Sequence, residues 1–215
     1  MYVSATGDNY DASRLLLTDR IEQFDLQGDP VAMVPNRDTL LVTGSEDEAG
    51  LALMGDVVNR TLDAPRSMCG IPMRLRHGEW ETWLPPPGHP QHRNFRLLEI
   101  KSIGGDYAEQ KSLLDALYLK RGVDRFVATY SAVENHNGDP FSYCLWSRGI
   151  AAELPRAEFI LFYRDAHQAL CGGPWEEVAE IVGDLLEPLD TWPPRYRVQD
   201  FPTSQQLKAI GNIKL

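Results

Sequence analysis

The chain has 215 residues, 43% of them hydrophobic and 24% charged, with a formal net charge of −10. That length suits one large domain or two of about 100 residues, and the balance is that of an ordinary soluble globular protein. The acidity argues against a nonspecific nucleic-acid surface, which needs Lys and Arg to neutralise phosphates, and no apolar run approaches the roughly 18 residues of a membrane span.

Asp8 to Asp25 reads as an amphipathic helix on the spacing of Leu15, Leu16, Ile21 and Phe24, with Asp11 or Ser13 to cap it. Gln27-Gly-Asp-Pro30 makes a turn. Val31–Val34 and Thr39–Thr43 then read as two strands, or one bent strand, broken at Pro35 because proline has no ladder donor. Glu46, Asp47 and Glu48 favour a helix start. Leu51, Met54, Val57, Val58 and Leu62 give that helix its buried stripe, and Pro65 ends it. Ile71–Arg76 and Glu79–Trp83 alternate around His77-Gly78 as a hairpin. The run Pro85-Pro-Pro-Gly-His-Pro90 reads as a stiff linker.

Beyond it, Arg96 to Ile103 reads as a strand, Gly104-Gly105 as a turn and Asp106 as the N-cap of the next helix. That helix, Tyr107 to Arg121, has Leu113, Leu114, Leu117 and Tyr118 as its apolar face and Gly122 as its stop. Arg125–Val133, Phe141–Trp146 and Phe159–Tyr163 read as strands. Pro174 opens a helix through Leu186, Tyr196–Val198 is a last short strand, and the tail from Thr203 is expected to fray. The fold class expected is α+β: a mixed, mainly antiparallel sheet covered by helices. Its organisation is a unit over 1–85, the linker at 86–92 and a second unit over 93–215. Val34–Val42 and Leu154–Phe162, each followed by a helix and a Pro-bearing loop, suggest two similar strand-helix-strand units, an internal duplication or two unrelated copies of one pattern.

The motif Val34-Pro35-Asn36-Arg37-Asp38, with Leu40-Leu41 after it, Gly28-Asp29 before it and Asp11-Ala-Ser13 with Leu15-Leu16 upstream, carries a family likeness. On these residues, roughly 8 to 85 resemble the C-terminal part of an uncharacterised bacterial family called domain of unknown function 1444. The resemblance implies a soluble bacterial α+β protein and brings no established activity with it.

For chemistry, Glu99 and Lys101 lie two apart on the expected strand and so share a face. Such a pair can hold Mg²⁺ and orient a water for phosphodiester cleavage, with Glu79, Glu81 and Asp106 as extra carboxylates. The commoner reading is a solvated strand face. His89 with His92, or His167 with Cys171, begins a zinc pattern that lacks a second pair. Cys144 reads as a small buried hydrophobe. Arg37 and Asp38, in a turn, either bind an anion or brace the turn itself. Trp80, Trp83, Trp146, Trp175 and Trp192 include candidate interface anchors. Cys69, Cys144 and Cys171 are odd in number and far apart, which suits reduced thiols in the cytoplasm, and Met1–Asp8 has no secretion-signal pattern. The functional expectation is a noncatalytic binding or protein-interaction module without cofactor or metal, bacterial and cytoplasmic, meeting a protein partner. A metal-dependent, nuclease-like hydrolase using Glu99 and Lys101 is the alternative.

Overall fold

A computed structural model describes residues 1–64, 66–163 and 171–212. The fold is α+β, with helices and mostly antiparallel sheet. Among the described residues, no helix is long and apolar enough to cross a membrane. The chain divides into two compact units, Met1–Ser102 and Ile103–Leu215. The division therefore falls later than the Pro-rich stretch at 86–92 and lies inside a helix.

Unit 1 is built on a five-stranded sheet. Its strands are β1 (Tyr2–Ser4), β2 (Pro30–Asn36), β3 (Thr39–Gly44), β4 (Met73–Arg76) and β5 (Glu79–Thr82), in the order β1-β3-β2-β4-β5. Both faces are covered, which is why Val31–Val34 reads as one unbroken apolar run. Val31, Met33 and Leu41 pack with Leu51, Met54 and Val58 of α2 (Glu48–Leu62) and with Phe95 and Leu98. On the opposite face Ala32, Val34, Leu40, Val42 and Leu75 pack with Ile21, Leu15 and Phe24.

Local chemistry sets the connections. Arg37 and Asp38 join β2 to β3, and the side-chain oxygen of Asn36 accepts from the Asp38 amide at 2.9 Å. Pro35 lies where the β2–β3 register shifts, between Met33 and Asn36. The carbonyls of Val34 and Pro35 instead accept from Cys69 and Met68. Asp47 caps α2 by accepting from the Gly50 amide at 2.9 Å and the Thr43 hydroxyl at 2.8 Å. These bonds, the Gly50 one first, hold its carboxyl below the usual range. His77 and Gly78, both at positive φ, turn β4 into β5, the two-residue loop that suits strand twist. Pro65, expected to end α2, lies outside the described residues.

Three expectations change. The expected Asp8–Asp25 helix is a 3-10 turn, Ala12–Leu16, followed by one short helix, α1 (Thr18–Ile21). Asp11 does not cap that turn. The strand expected at Arg96–Ile103 is helix: α3 runs from His92 to Arg121, through both Gly104 and Gly105, and Asp106 lies inside it. Phe95, Leu98 and Ser102 are buried at helical spacing, so packing overrides the strand-like composition. Further along α3, Tyr107 is buried; of the expected apolar face Leu114 and Tyr118 are half-buried, while Leu113 and Leu117 are exposed.

Unit 2 has two four-stranded sheets around one core. Its strands are β6 (Phe126–Val127), β7 (Ser131–Glu134), β8 (Pro140–Ser147), β9 (Ala152–Pro155), β10 (Phe159–Tyr163) and β11 (Cys171–Pro174), then β12 (Glu187–Pro188) and β13 (Arg195–Val198). One sheet orders β11-β10-β8-β7 and the other β12-β13-β9-β6. Cys144, Trp146, Ile160 and Phe162 of the first meet Ala152, Leu154 and Val198 of the second. Trp175, Val178 and Val182 of α4 (Trp175–Val182) and Leu207 of α5 (Ser204–Ile210) close this core. α4 gives way to a 3-10 turn, Gly183–Leu185, short of the expected end. The tail expected to fray is α5, fixed by a capping box in which Thr203 and Gln206 satisfy each other's backbone amides. The two stretches compared as repeats also differ. β2 and β3 pair with each other, whereas β9 and β10 lie in different sheets.

Candidate functional site

The residues singled out from sequence do not gather. Glu99 and Lys101 sit two apart on a helix, about 200° around its axis, so they leave it on different sides. Glu99 bonds Arg96, one helical turn before it. Lys101 pairs with Asp63 at 2.7 Å and reaches Asn59 at 3.3 Å. Glu81 takes Arg74 at 3.0 Å, and Glu79 is exposed on β5. The ring nitrogen Nδ1 of His89 accepts from the Gln91 amide, and that of His92 lies 2.6 Å from the Pro85 carbonyl oxygen. His167 lies outside the described residues, and among those described no three metal-ligating side chains group together. The Cys144 thiol is fully buried, and that burial pushes it up to about 12, as expected of a small hydrophobe rather than a nucleophile.

Arg37 and Asp38 are both exposed and pair at 3.3 Å, and Arg37 also bonds the Asn9 side chain. Trp146 and Trp175 are core residues, Trp80 donates its ring N–H to the Leu15 carbonyl, Trp83 packs edge-on to Phe95, and Trp192 is exposed.

What the fold does assemble in unit 1 is a groove of about 620 Å³ against the β1 side of the sheet. The β1–β3 register pairs Tyr2 with Val42 and Ser4 with Leu40, so these four share one sheet face. They form the floor. Leu17, Arg20, Ile21 and Phe24 form the wall. Tyr2 stacks on Phe24, centroids 4.3 Å apart. Arg14 reaches across to the Ser4 hydroxyl at 3.2 Å.

The Arg14 end is held by one carboxylate. Asp11 is completely buried and accepts from the Ser4 hydroxyl (2.6 Å), the Thr6 amide (2.9 Å), the Gly7 amide (3.1 Å) and Arg14 (2.8 Å). These bonds, the Ser4 one foremost, lower it to about 2. Arg14 is thus committed to Asp11 and Asp8. Arg20 is exposed and has no polar side-chain partner among the described residues, so a cation is available at the rim of an apolar groove.

The groove also ends on a sheet edge. β1 is the outermost strand on its side and carries Tyr2, Val3 and Ser4, with Val3 55% exposed and no charge. The opposite edge, β5, carries Glu79 and Glu81. Charged residues protect an edge from pairing with another chain, and β1 lacks them. Sequence reading missed this site because its residues come from three separated segments; the legible signal was the uncharged start of the chain beside an Arg-bearing amphipathic stretch. No family model matches the chain, and neither a curated protein nor a solved structure does.

Proposed function

We propose that the chain is a noncatalytic binding protein whose unit 1 groove takes an extended segment of a partner protein. The segment lies along β1, forms main-chain hydrogen bonds with its edge, and sets apolar side chains on Leu17, Leu40 and Val42. Strand addition of this kind draws affinity from the backbone and specificity from side-chain pockets. The supporting observation is the coincidence of an apolar groove with an uncharged edge strand. Arg20 adds a preference for an acidic residue in the partner. The volume of about 620 Å³ is in the range of pockets that hold ligands. A bacterial, cytoplasmic setting accompanies this reading, in keeping with three free cysteines.

The test is a display library of extended peptides, panned against the full chain and followed by titration calorimetry. Selected peptides alternate apolar residues and carry an acidic one. Leu17→Asp weakens them by more than about tenfold, the loss expected when one leucine contact is removed. Arg20→Glu reverses the charge preference, and Lys120→Glu, an exposed change in unit 2, has no effect. Peptides that bind Leu17→Asp as well as the parent chain overturn the reading.

A further inference from the structure

Among the described residues, four buried side-chain atoms have no hydrogen-bond partner: Arg125 Nη1, Glu153 Oε2, Arg195 Nη2 and Arg197 Nε. All four belong to one cluster in unit 2. Glu153 lies on β9, the strand between β13 and β6, and Arg197 is its cross-strand partner. Arg125 stands just before β6. Arg195 donates from Nη1 to the Glu153 and Ala128 carbonyls, both at 2.9 Å, and from Nε to Gln110 at 2.6 Å. Neighbouring Lys111 is taken up by Asp115 and the Val127 carbonyl.

The Glu153 carboxylate is used on one side only. Tyr118 donates to Oε1 at 2.8 Å. Arg197 Nη2 and Arg125 Nε also turn to Oε1, at 3.6 and 3.9 Å, beyond hydrogen-bond contact. Two guanidiniums therefore stand within 4 Å of one carboxylate that is 1% exposed, a third holds the main-chain carbonyl of the same residue, and Arg197 reaches its second acid, Glu187, only at the surface. Leaving buried donors and an acceptor unpaired opposes folding, because each has given up its water without a replacement. Such groups in a folded protein call for a specific reason. The cluster reaches the surface through Arg125 and Arg197, 20% and 30% exposed.

The unpaired set is three N–H donors and one carboxylate acceptor. A simple oxyanion matches the donors but is repelled by Glu153 Oε2. An oxyanion that also carries a hydroxyl matches both. We propose that this cluster binds free inorganic phosphate as hydrogen phosphate: the Arg125, Arg195 and Arg197 nitrogens donate to its bare oxygens, and Glu153 Oε2 accepts from its P–OH. The same acceptor excludes sulfate, which has no proton to give. It also excludes phosphomonoesters at neutral pH, because their second proton leaves near pH 6. The proposal is independent of the unit 1 groove.

The test is calorimetric titration of the full chain at about pH 7.5 with sodium phosphate, sodium sulfate and phenyl phosphate at matched ionic strength, above the monoester's second pKa. Phosphate binds, and sulfate and phenyl phosphate bind at least about tenfold more weakly, the effect of losing one charge-assisted hydrogen bond. Phenyl phosphate gains affinity below about pH 6. Arg125→Gln, at the partly exposed mouth, weakens phosphate by at least about tenfold. Glu153→Gln brings sulfate level with phosphate. Circular dichroism confirms that each variant is folded, and Arg197→Lys replaces Arg125→Gln if that variant is not, with the same loss expected. Equal binding of phosphate and sulfate by the parent chain overturns the proposal, as does no binding of phosphate or an Arg125→Gln variant that binds it unchanged.

Discussion

Arg14 Nη1 lies 2.8 Å from Oδ1 of Asp11, a carboxylate with no exposed surface. Asp11 gathers Ser4, Thr6 and Gly7 as well, so one ionised group fixes both an end of the groove and the chain leaving β1. Its carboxyl falls from 3.8 to about 2 on folding. A depressed acid stabilises the folded state above its unfolded value and loses that contribution as pH falls toward the folded one. Unit 1 therefore loosens between pH 3.8 and about 2. Asp11→Asn removes this part of the acid sensitivity and lowers stability at neutral pH. Acid titration followed by Trp80 and Trp83 fluorescence checks both, and an unchanged acid profile contradicts the assignment.

Tyr107 ties α3 to the β13 approach. Its hydroxyl donates to the Pro194 carbonyl at 2.7 Å and accepts from the Arg156 amide at 2.9 Å, while its ring stacks on Tyr130. Tyr107→Phe is expected to cost about 1–2 kcal/mol, the effect of removing a buried hydroxyl with two partners. Chemical denaturation measures it. Burial raises the phenol from 10.0 to about 12. The folded state holds this proton more tightly, so its contribution is complete below pH 10 and is lost as pH rises toward about 12. Burial also raises Tyr118, so spectrophotometric titration should show more than one tyrosine ionising late, and the Phe variant should lose the step at about 12.

Two helical glycines should respond oppositely to alanine. A Cβ on Gly50 would strike Asp47 Oδ2 and Thr43 Oγ1, whose hydrogen bond holds the Asp47 side chain in its capping position on α2. Losing that cap outweighs alanine's better helix propensity, and Gly50→Ala should destabilise by about 1–2 kcal/mol. A Cβ on Gly105 meets nothing within 4 Å. Gly105→Ala in α3 should stabilise by about 0.5–1 kcal/mol. Thermal melts of the pair decide it, and changes of the same sign contradict the packing described.

Legibility followed how locally each element was determined. The β4–β5 hairpin was readable because alternation and a two-residue turn carry it. The α2 stripe was readable because one helix face is apolar. The first part of α3 was not, since Leu97, Leu98, Ile100 and Ile103 before two glycines imitate a strand ending in a turn. Only Phe95 and Leu98 packing into the unit 1 core makes that stretch helical. Nor could sequence foresee that Tyr107 and Gln110 would meet a buried arginine. The apolar face chosen for α3 assumed an apolar partner surface. The groove and the Glu153 cluster were both missed for the same reason: strand pairing joins Tyr2 to Val42 and Glu153 to Arg197 across 40 and more positions.

The unlike edges of the unit 1 sheet have a consequence for handling and storage. Glu79 and Glu81 keep β5 from zipping to a neighbouring molecule only while they are charged. Neutralising them, by acid or by Glu79→Gln with Glu81→Gln, leaves both rims of the sheet adhesive. Light scattering should then report molecules associating as concentration rises, to a greater extent than the parent does at neutral pH.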